Sequence, residues 1–261
     1  MTDVEDALDW QGNPVDCQGC PHRALLAENG CERGKVCIQD RRASRIDRFL
    51  RAHPDLANEA IRHPYFMQRA VAARWANIFH LPRLAGDPDA EVRAAAAERL
   101  PHRFLIQLRA DPDPRVRVAA ATRLEGSELM PLITDSDYYV RVVLARRMPE
   151  DSLPVLMRDV SVDVRIEVAK RISQEWLIAM AWDDTPEVRL VVAGRLEPSQ
   201  LQVLLHDADW RVRYAVANRI GTDYLPQLAE DPEPDVRAEA CRRLDLHIAQ
   251  VLDHSGDIQD A

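Results

Sequence analysis

Seven aspartates stand at a constant step of 24 residues along the middle of this chain: Asp87, Asp111, Asp135, Asp159, Asp183, Asp207 and Asp231. The same step carries Val92, Val116, Val140, Val164, Val188, Val212 and Val236, each followed by arginine from Arg93 to Arg237. A second arginine ladder runs Arg99, Arg123, Arg147, Arg171, Arg195, Arg219 and Arg243, each member followed by Leu, Met or Ile. A register kept over seven copies without an insertion belongs to a repeat protein, in which each unit buries its apolar face against its neighbours.

The period converts into local structure. Asp89, Asp113, Asp137, Ser161, Thr185, Asp209 and Glu233 share one position, and all but the last are residue types that favour a helix N-cap. Pro114, Pro186 and Pro234 follow at the first helical position, where a missing N–H costs nothing. Val92, Ala96 and Leu100 then form an apolar stripe, so a helix is expected to about Leu100. A second cap is expected at Ser127, Asp151, Ser199 and Asp223, ahead of pairs such as Leu129 with Leu132 and Leu153 with Leu156. Little chain remains before the next aspartate, which suits a turn or two of 3₁₀ or α-helix. The predicted fold is therefore all-α: a solenoid of about eight repeats of 24 residues, alternating α-helix with a short 3₁₀ helix. Residues 63–86 form a degenerate first repeat in which Trp75 replaces the second arginine, as a capping unit requires. The expected organisation is a head over residues 1–62, the repeats over 63–254 and a polar tail over 255–261.

Composition agrees with helix. Only 9 of 261 residues are glycine, too few for a turn-rich β architecture. No apolar run approaches the roughly 18–20 residues of a membrane span, and the acidic start MTDVEDALDW does not look like an export signal, so a cytoplasmic protein is expected. The net charge of −9 weighs against a dedicated nucleic-acid binder. Of 34 basic residues only Lys35 and Lys170 are lysine, a bias that GC-rich codons would produce without any structural cause.

Four of the five cysteines fall close together, Cys17, Cys20, Cys31 and Cys37, in the spacing C-x2-C-x10-C-x5-C. A tight cluster in a chain expected to be cytoplasmic points to metal rather than to disulfides. Spacing alone leaves Zn²⁺ and an iron–sulfur cluster equally open, since both take thiolate ligands. His22 is a candidate surface or neighbouring group and a substitute ligand should one cysteine prove free, while Arg23, Arg33 and Lys35 would stabilise thiolate charge. The fifth, Cys241, occupies the slot of Ala97, Ala121, Ala145, Ala169, Ala193 and Ala217, which predicts a small core residue. Gly30 to Val36 has too few residues between its glycines for a phosphate loop, and the histidines form no ligand or triad spacing.

The pattern D-x4-V-R-x3-A-x-R-L-x4-L-x2-L, behind a cysteine-rich head, resembles the leucine-rich repeat variant proteins. That resemblance implies a right-handed superhelix of alternating α- and 3₁₀-helices and a [4Fe–4S] cluster in the head, with Cys17, Cys20, Cys31 and Cys37 carried over as its ligands. It also implies an association with nitrogen-fixing bacteria, but no biochemical activity.

Two readings of the arginine ladders follow. One makes Asp87 and its equivalents partners of the arginines, a charge ladder whose exposed pairs would each add about 0–1 kcal/mol and set register. The competing reading is a guanidinium groove for phosphates or acidic peptides. The first is preferred at a net charge of −9. The expected function is a non-catalytic iron–sulfur scaffold that binds another macromolecule, most simply a protein. The alternatives are a redox- or oxygen-responsive nucleic-acid binder and an electron-transfer partner of an oxidoreductase.

Overall fold

The computed structural model of the chain describes residues 7–256. Among these, the regular structure is helical, with two isolated bridges, Leu8 to Pro14 and Glu32 to Val36, and no strand. None of the described helices is long and apolar enough to cross a membrane. The long helices open where the caps predict: Ala90–Ala97, Pro114–Ala121, Tyr138–Arg147, Val162–Arg171, Pro186–Arg195 and Trp210–Ala217. Asp89, Asp113 and Asp209 each accept a hydrogen bond from the backbone N–H two residues on, and Asp137 does the same for Tyr139. Such a bond satisfies one of the N–H groups that a helix start leaves free. Ser161 and Thr185 hold the cap position without closing that bond, and the Thr185 hydroxyl accepts from Arg165 instead, at 2.9 Å.

The second segment of each repeat is 3₁₀ at Ile78–Gly86, Gly126–Leu132, Glu150–Leu156 and Pro198–Leu204, and α at His102–Leu108. Two others combine both forms, Gln174–Leu177 with Ile178–Trp182 and Thr222–Tyr224 with Leu225–Leu228. The second cap expected at Ser127, Asp151, Ser199 and Asp223 is corrected by the structure. The chain turns two residues earlier, at Glu125, Pro149, Glu197 and Gly221, whose extended backbones place the expected caps inside the first turn.

The chain divides into two compact units, Met1–Leu144 and Ala145–Ala261. In the first, Phe66–Ala73, Ala90–Ala97 and Pro114–Ala121 pack each against the next; in the second, Val162–Arg171, Pro186–Arg195, Trp210–Ala217 and Pro234–Gly256 do so. The predicted stripes are the cores. Val92, Ala96 and Leu100 are fully buried, as are Val116, Ala120 and Leu124, Val188, Val192 and Leu196, and Val212, Val216 and Ile220. The leucine pairs of the short segments close the other side of each core.

Ends depart from the repeat in explicable ways. In the first repeat the Trp75 indole N–H donates to Asp47 at 3.0 Å, tying the repeat to helix Ala43–Ala52 where the arginine is missing. Cys241 is exposed, against expectation, although all six alanines in its slot are fully buried. That slot is covered by the next repeat's helix, and among the described residues no further repeat follows. The last helix, Pro234–Gly256, also runs well past the length of the others. Residues 255 and 256 of the expected polar tail are thus helical, and its remainder, 257–261, lies outside the described residues.

Candidate metal centre and the arginine ladders

The head is built from tight turns rather than from regular elements, and each cysteine sits on one of them. Val15 N–H donates to the Ala7 carbonyl at 3.0 Å, so Cys17 leaves a short paired ribbon. The Asp16 carboxylate accepts from the N–H groups of Gln18 and Gly19 at 2.8 and 3.1 Å, folding the loop between Cys17 and Cys20. A Cβ at Gly19 would lie 2.5 Å from an Asp16 oxygen, so any side chain there would push the Asp16 carboxylate aside from this turn. Cys20 precedes helix Arg23–Ala27, and its sulfur accepts from the His22 N–H at 3.4 Å. Cys31 follows Gly30, whose carbonyl is held by His53 Nε2 at 2.7 Å. Cys37 follows the Glu32–Val36 turn, made by Gly34 at φ +81°, and donates its N–H to the Arg45 carbonyl. Beneath it the Arg45–Asp40 ion pair, 2.8 Å and buried on both sides, anchors helix Ala43–Ala52.

These turns bring all four predicted ligands to one recess of about 340 Å³, its open mouth included. His22, Arg33, Val36 and Phe49 complete much of its wall. All four thiols are free, Cys37 buried and the other three half-buried. Burial pushes the Cys37 thiol up to about 11. It raises Cys31 too, helped by the nearby Cys20 and Cys17. Proton release on metal binding is the corresponding expectation, because a metal takes thiolates. The His22 ring lies 5.7 Å from Phe49, packed as a wall residue.

Two observations test whether this recess fits a multi-iron cluster. Arg33 lines it, and the buried Nε of that side chain has no hydrogen-bond partner, an uncompensated donor that an anionic sulfur group would satisfy. All four thiols also line the one recess, while among the described residues no group of three Cys, His, Asp or Glu side chains is drawn together around a point. Four thiols about one recess with an unsatisfied donor fit an anionic metal–sulfur group. Residues Gly30 to Val36, set aside as a phosphate loop, form the turn that carries Cys31 and have no helix behind them.

The two arginine ladders are structural. In the first unit Arg69, Arg93 and Arg117 grip Asp87, Asp111 and Asp135 with Nε and Nη2, at 2.7–2.8 Å. In the second unit Arg165, Arg189 and Arg213 grip Asp183, Asp207 and Asp231 at 2.7–3.0 Å. The third nitrogen, Nη1, donates to the carbonyl of the aspartate six residues earlier, as from Arg93 to Asp87 and from Arg189 to Asp183. Each aspartate also accepts from the N–H two residues on, as from Asp113 to Asp111 and from Asp209 to Asp207. The arginine side chains are only 12–14% exposed and the carboxylates 4–8%. The expectation of exposed pairs is thus corrected: these are buried clamps, and the hydrogen bond to aspartate raises the pKa of each arginine further.

The second ladder caps helices. Arg99 donates to the carbonyls of Ala73 and Ala76, Arg123 to those of Ala97 and Leu100, and Arg243 to those of Ala217 and Ile220, all at 2.7–2.9 Å. Arg171, Arg195 and Arg219 reach Ala145, Ala169 and Ala193 in the same way. Each guanidinium meets the free carbonyls at the C-terminus of the previous long helix, where the helix dipole also favours a cation. A guanidinium groove for phosphates is not what these side chains form.

Comparison with known proteins adds three findings. A family model described as "LRV protein FeS4 cluster" matches residues 7–59, the segment that holds all four head cysteines. A solved structure titled as a leucine-rich repeat variant with a novel repetitive structural motif superposes with a TM-score of 0.81. It is 39% identical, and the alignment covers 88% of this chain and 99% of that one. The chain is also 45% identical over 101 residues to a protein of Rhodobacter capsulatus named "Uncharacterized 27.7 kDa protein in nifB 3′ region". That match covers 39% of this chain and spans only 41% of the relative's length.

Proposed function

The chain belongs to the leucine-rich repeat variant family, with an iron–sulfur head, and from that premise we propose that it is a non-catalytic, cytoplasmic scaffold. Its Cys17, Cys20, Cys31 and Cys37 hold a [4Fe–4S] cluster, and its repeats bind another protein. The observation that carries the cluster assignment is the single recess lined by all four thiols and by the unpartnered Arg33 Nε. When bound, such a cluster supplies a one-electron couple and four fixed ligand directions. The chain's own part is positional. Asp16 and Gly34 shape the cysteine turns, Phe49 and Val36 keep water from one side, and Arg33 offsets negative charge. The cysteine turns of the head have only a small core of their own, Ala7, Val15 and Cys37 with Cys17 packed against them, whereas Ile46, Phe49 and Leu50 are buried on helix Ala43–Ala52. A group tying four of its turns together would therefore add directly to its folding stability.

Protein binding is supported by the surface. Eight of the fourteen aromatic side chains are exposed, among them Phe79, Tyr138, Trp176, Trp182 and Trp210, and Trp and Tyr are enriched where proteins meet. The nucleic-acid alternative loses its main support with the arginine ladders occupied internally. The Rhodobacter relative's name, which places it in a nifB 3′ region, supports a role accessory to nitrogen fixation.

The test is iron, sulfide and zinc analysis with a visible spectrum on protein purified without oxygen. About four irons and four sulfides per chain, with a broad brown absorbance lost when any one head cysteine becomes serine, are expected. One zinc per chain and no colour would overturn the cluster assignment.

A further inference from the structure

Arg165, Arg171, Arg189, Arg195, Arg213 and Arg219 of the second unit are drawn inward, and this leaves one side of it with an unbalanced surface. Residues 145–261 carry 22 acidic and 14 basic side chains, whereas residues 1–144 carry 21 and 20. The imbalance concentrates on the short segments and the turns around them, 149–160, 173–184, 197–208 and 221–232. There 11 acids stand against a single basic side chain, Arg158. Asp183, Asp207 and Asp231 are neutralised by their clamps. Glu150, Asp151, Glu175, Asp184, Glu197 and Asp223 are exposed. The corresponding segments of the first unit include Arg83, Arg103 and Arg109, so the repeat architecture does not impose this polarity.

The same face is apolar at its centre. Val155, Ala179 and Val203 share one repeat position, on three successive short segments. In a 3₁₀ helix residues three apart eclipse, so Trp182 stands over Ala179 on the outer side. Trp182 is 67% exposed, Val155 55% and Trp176 44%. An open groove of about 890 Å³ runs between two of these segments, lined by Met157, Arg158, Ala179, Met180, Trp182 and Asp184. Large apolar side chains left in water at neighbouring repeat positions mark an interaction site more often than chance exposure does. An apolar centre ringed by carboxylates is complementary to an apolar anchor ringed by lysine or arginine.

We propose that this face of the second unit, centred on Trp182, Trp176 and Val155, docks a basic amphipathic segment of a partner protein. The proposal rests on the scaffold reading and narrows it to one surface and one partner chemistry. The tryptophans supply the buried anchors, and Glu175, Asp184 and Glu197 select the partner's charge.

Fluorescence anisotropy on the full chain tests this, with three labelled helical peptides as probes: an amphipathic Leu/Lys peptide, its Leu/Glu counterpart, and a Ser/Lys peptide of equal charge. The Leu/Lys peptide is expected to bind tightest, weakening about tenfold in Trp182→Ala with Trp176→Ala. It should also weaken in Glu175→Gln with Asp184→Asn, and as salt rises past about 0.1 M. Asn218→Ala, at the exposed end of a long helix of the same unit, should leave it unchanged, and far-UV circular dichroism checks that each variant is folded. Binding that ignores both tryptophans, or that follows charge alone with Ser/Lys as good as Leu/Lys, overturns the surface assignment and leaves the scaffold reading standing. Preference for Leu/Glu, or for a labelled DNA duplex, overturns the partner chemistry. No binding to any peptide probe overturns the proposal and removes support from the scaffold reading with it.

Discussion

Replacing Asp207 by alanine should be among the most destabilising polar substitutions in the second unit. Its carboxylate accepts Arg189 Nε at 2.7 Å and Nη2 at 2.8 Å, and the Asp209 N–H at 2.9 Å, while remaining 4% exposed. Alanine removes two charge-assisted bonds and one turn-closing bond, and it leaves a guanidinium that is 14% exposed without its counter-ion. Breaking a buried pair from one side costs about 3–5 kcal/mol. Arg189 keeps its Nη1 bonds to the carbonyls of Asp183 and Asp184, at 2.8 and 3.2 Å, so the lower end applies, about 3 kcal/mol. Asp207→Asn keeps an acceptor for Asp209 and for one guanidinium nitrogen, and should cost about 2 kcal/mol. The control is Asp209→Ala two residues on, where Arg211 is 43% exposed; a lost cap and a screened pair give about 1 kcal/mol. Urea unfolding followed by circular dichroism measures all three. The double variant Asp207→Ala with Arg189→Met should recover part of the loss, since removing both partners leaves no stranded charge. A loss at Asp207 no larger than that at Asp209, or a double variant worse than the sum of its singles, would refute the buried-clamp reasoning.

Leu153, fully buried, should cost about 2–5 kcal/mol as alanine, whereas Asp151, which lies inside a 3₁₀ turn with no capping bond, should cost under about 0.5 kcal/mol; urea midpoints of the two decide. Cys241 is exposed, so one thiol per chain should react quickly with a maleimide in the native fold, and Cys241→Ser should leave the iron content unchanged while Cys31→Ser abolishes it. Arg115 and Arg211 hold Asp113 and Asp209 down at about 2, from an ordinary 3.8. A carboxylate lowered in the fold contributes stability above its ordinary value and loses it as pH falls through the folded one. Urea midpoints should therefore drop between about pH 4 and pH 2, and the drop should shrink in Asp113→Asn with Asp209→Asn. Arg33→Gln should lower the reduction potential of the head, on the order of tens of millivolts in a dye-mediated titration, by removing a cation and a donor beside the sulfurs. An unchanged potential would mean that Arg33 faces elsewhere once the site is filled.

What could be read from the residues alone, and what could not, divides along physical lines. Burial at Val92, Ala96 and Leu100 was legible because one helix period and one repeat period select the same faces. Pairing was only half legible. Arg93 lies 6 residues after Asp87 and 18 before Asp111, and a strict period of 24 cannot tell these partners apart. The protein uses both, the carbonyl of one and the carboxylate of the other. Cys241 shows the limit of equivalence by register: its slot is buried by the following repeat, and with none after it among the described residues Cys241 has the position without the environment. The expected caps at Ser127 and Asp151 failed because Glu125 and Pro149 already take extended backbones, which starts the turn early. In the head the ligand set followed from clustering and resemblance. The stranded Nε of Arg33 had no signal beyond its place two residues after Cys31, since whether a donor is satisfied depends on three-dimensional neighbours.

The near-absence of lysine now has a mechanical cause beside the codon explanation. A first-ladder arginine directs Nε and Nη2 to one carboxylate and Nη1 to a carbonyl on a different turn, three donors in one plane. Lysine carries its three donors on one nitrogen and cannot span a bidentate carboxylate and a carbonyl together. At the second ladder a single Nη1 meets two carbonyls of one helix end, as at Arg99 and Arg123, with the guanidinium held in the half-buried layer between repeats. A lysine there would bring a more strongly hydrated charge into the same layer. Arginine is thus required where two turns must be fixed at once, and the two ladders account for fourteen of the thirty-two arginines. The two lysines stand where neither demand applies. Lys35 and Lys170 are about half exposed and each pairs with a glutamate three residues before it, Glu32 and Glu167, contacts that a point charge serves as well as a fork. Codon bias alone would treat every position alike, whereas the structure leaves the Arg115 and Arg211 positions open to lysine, since their guanidiniums stand in solvent beside Asp113 and Asp209, and closes the buried ladders to it.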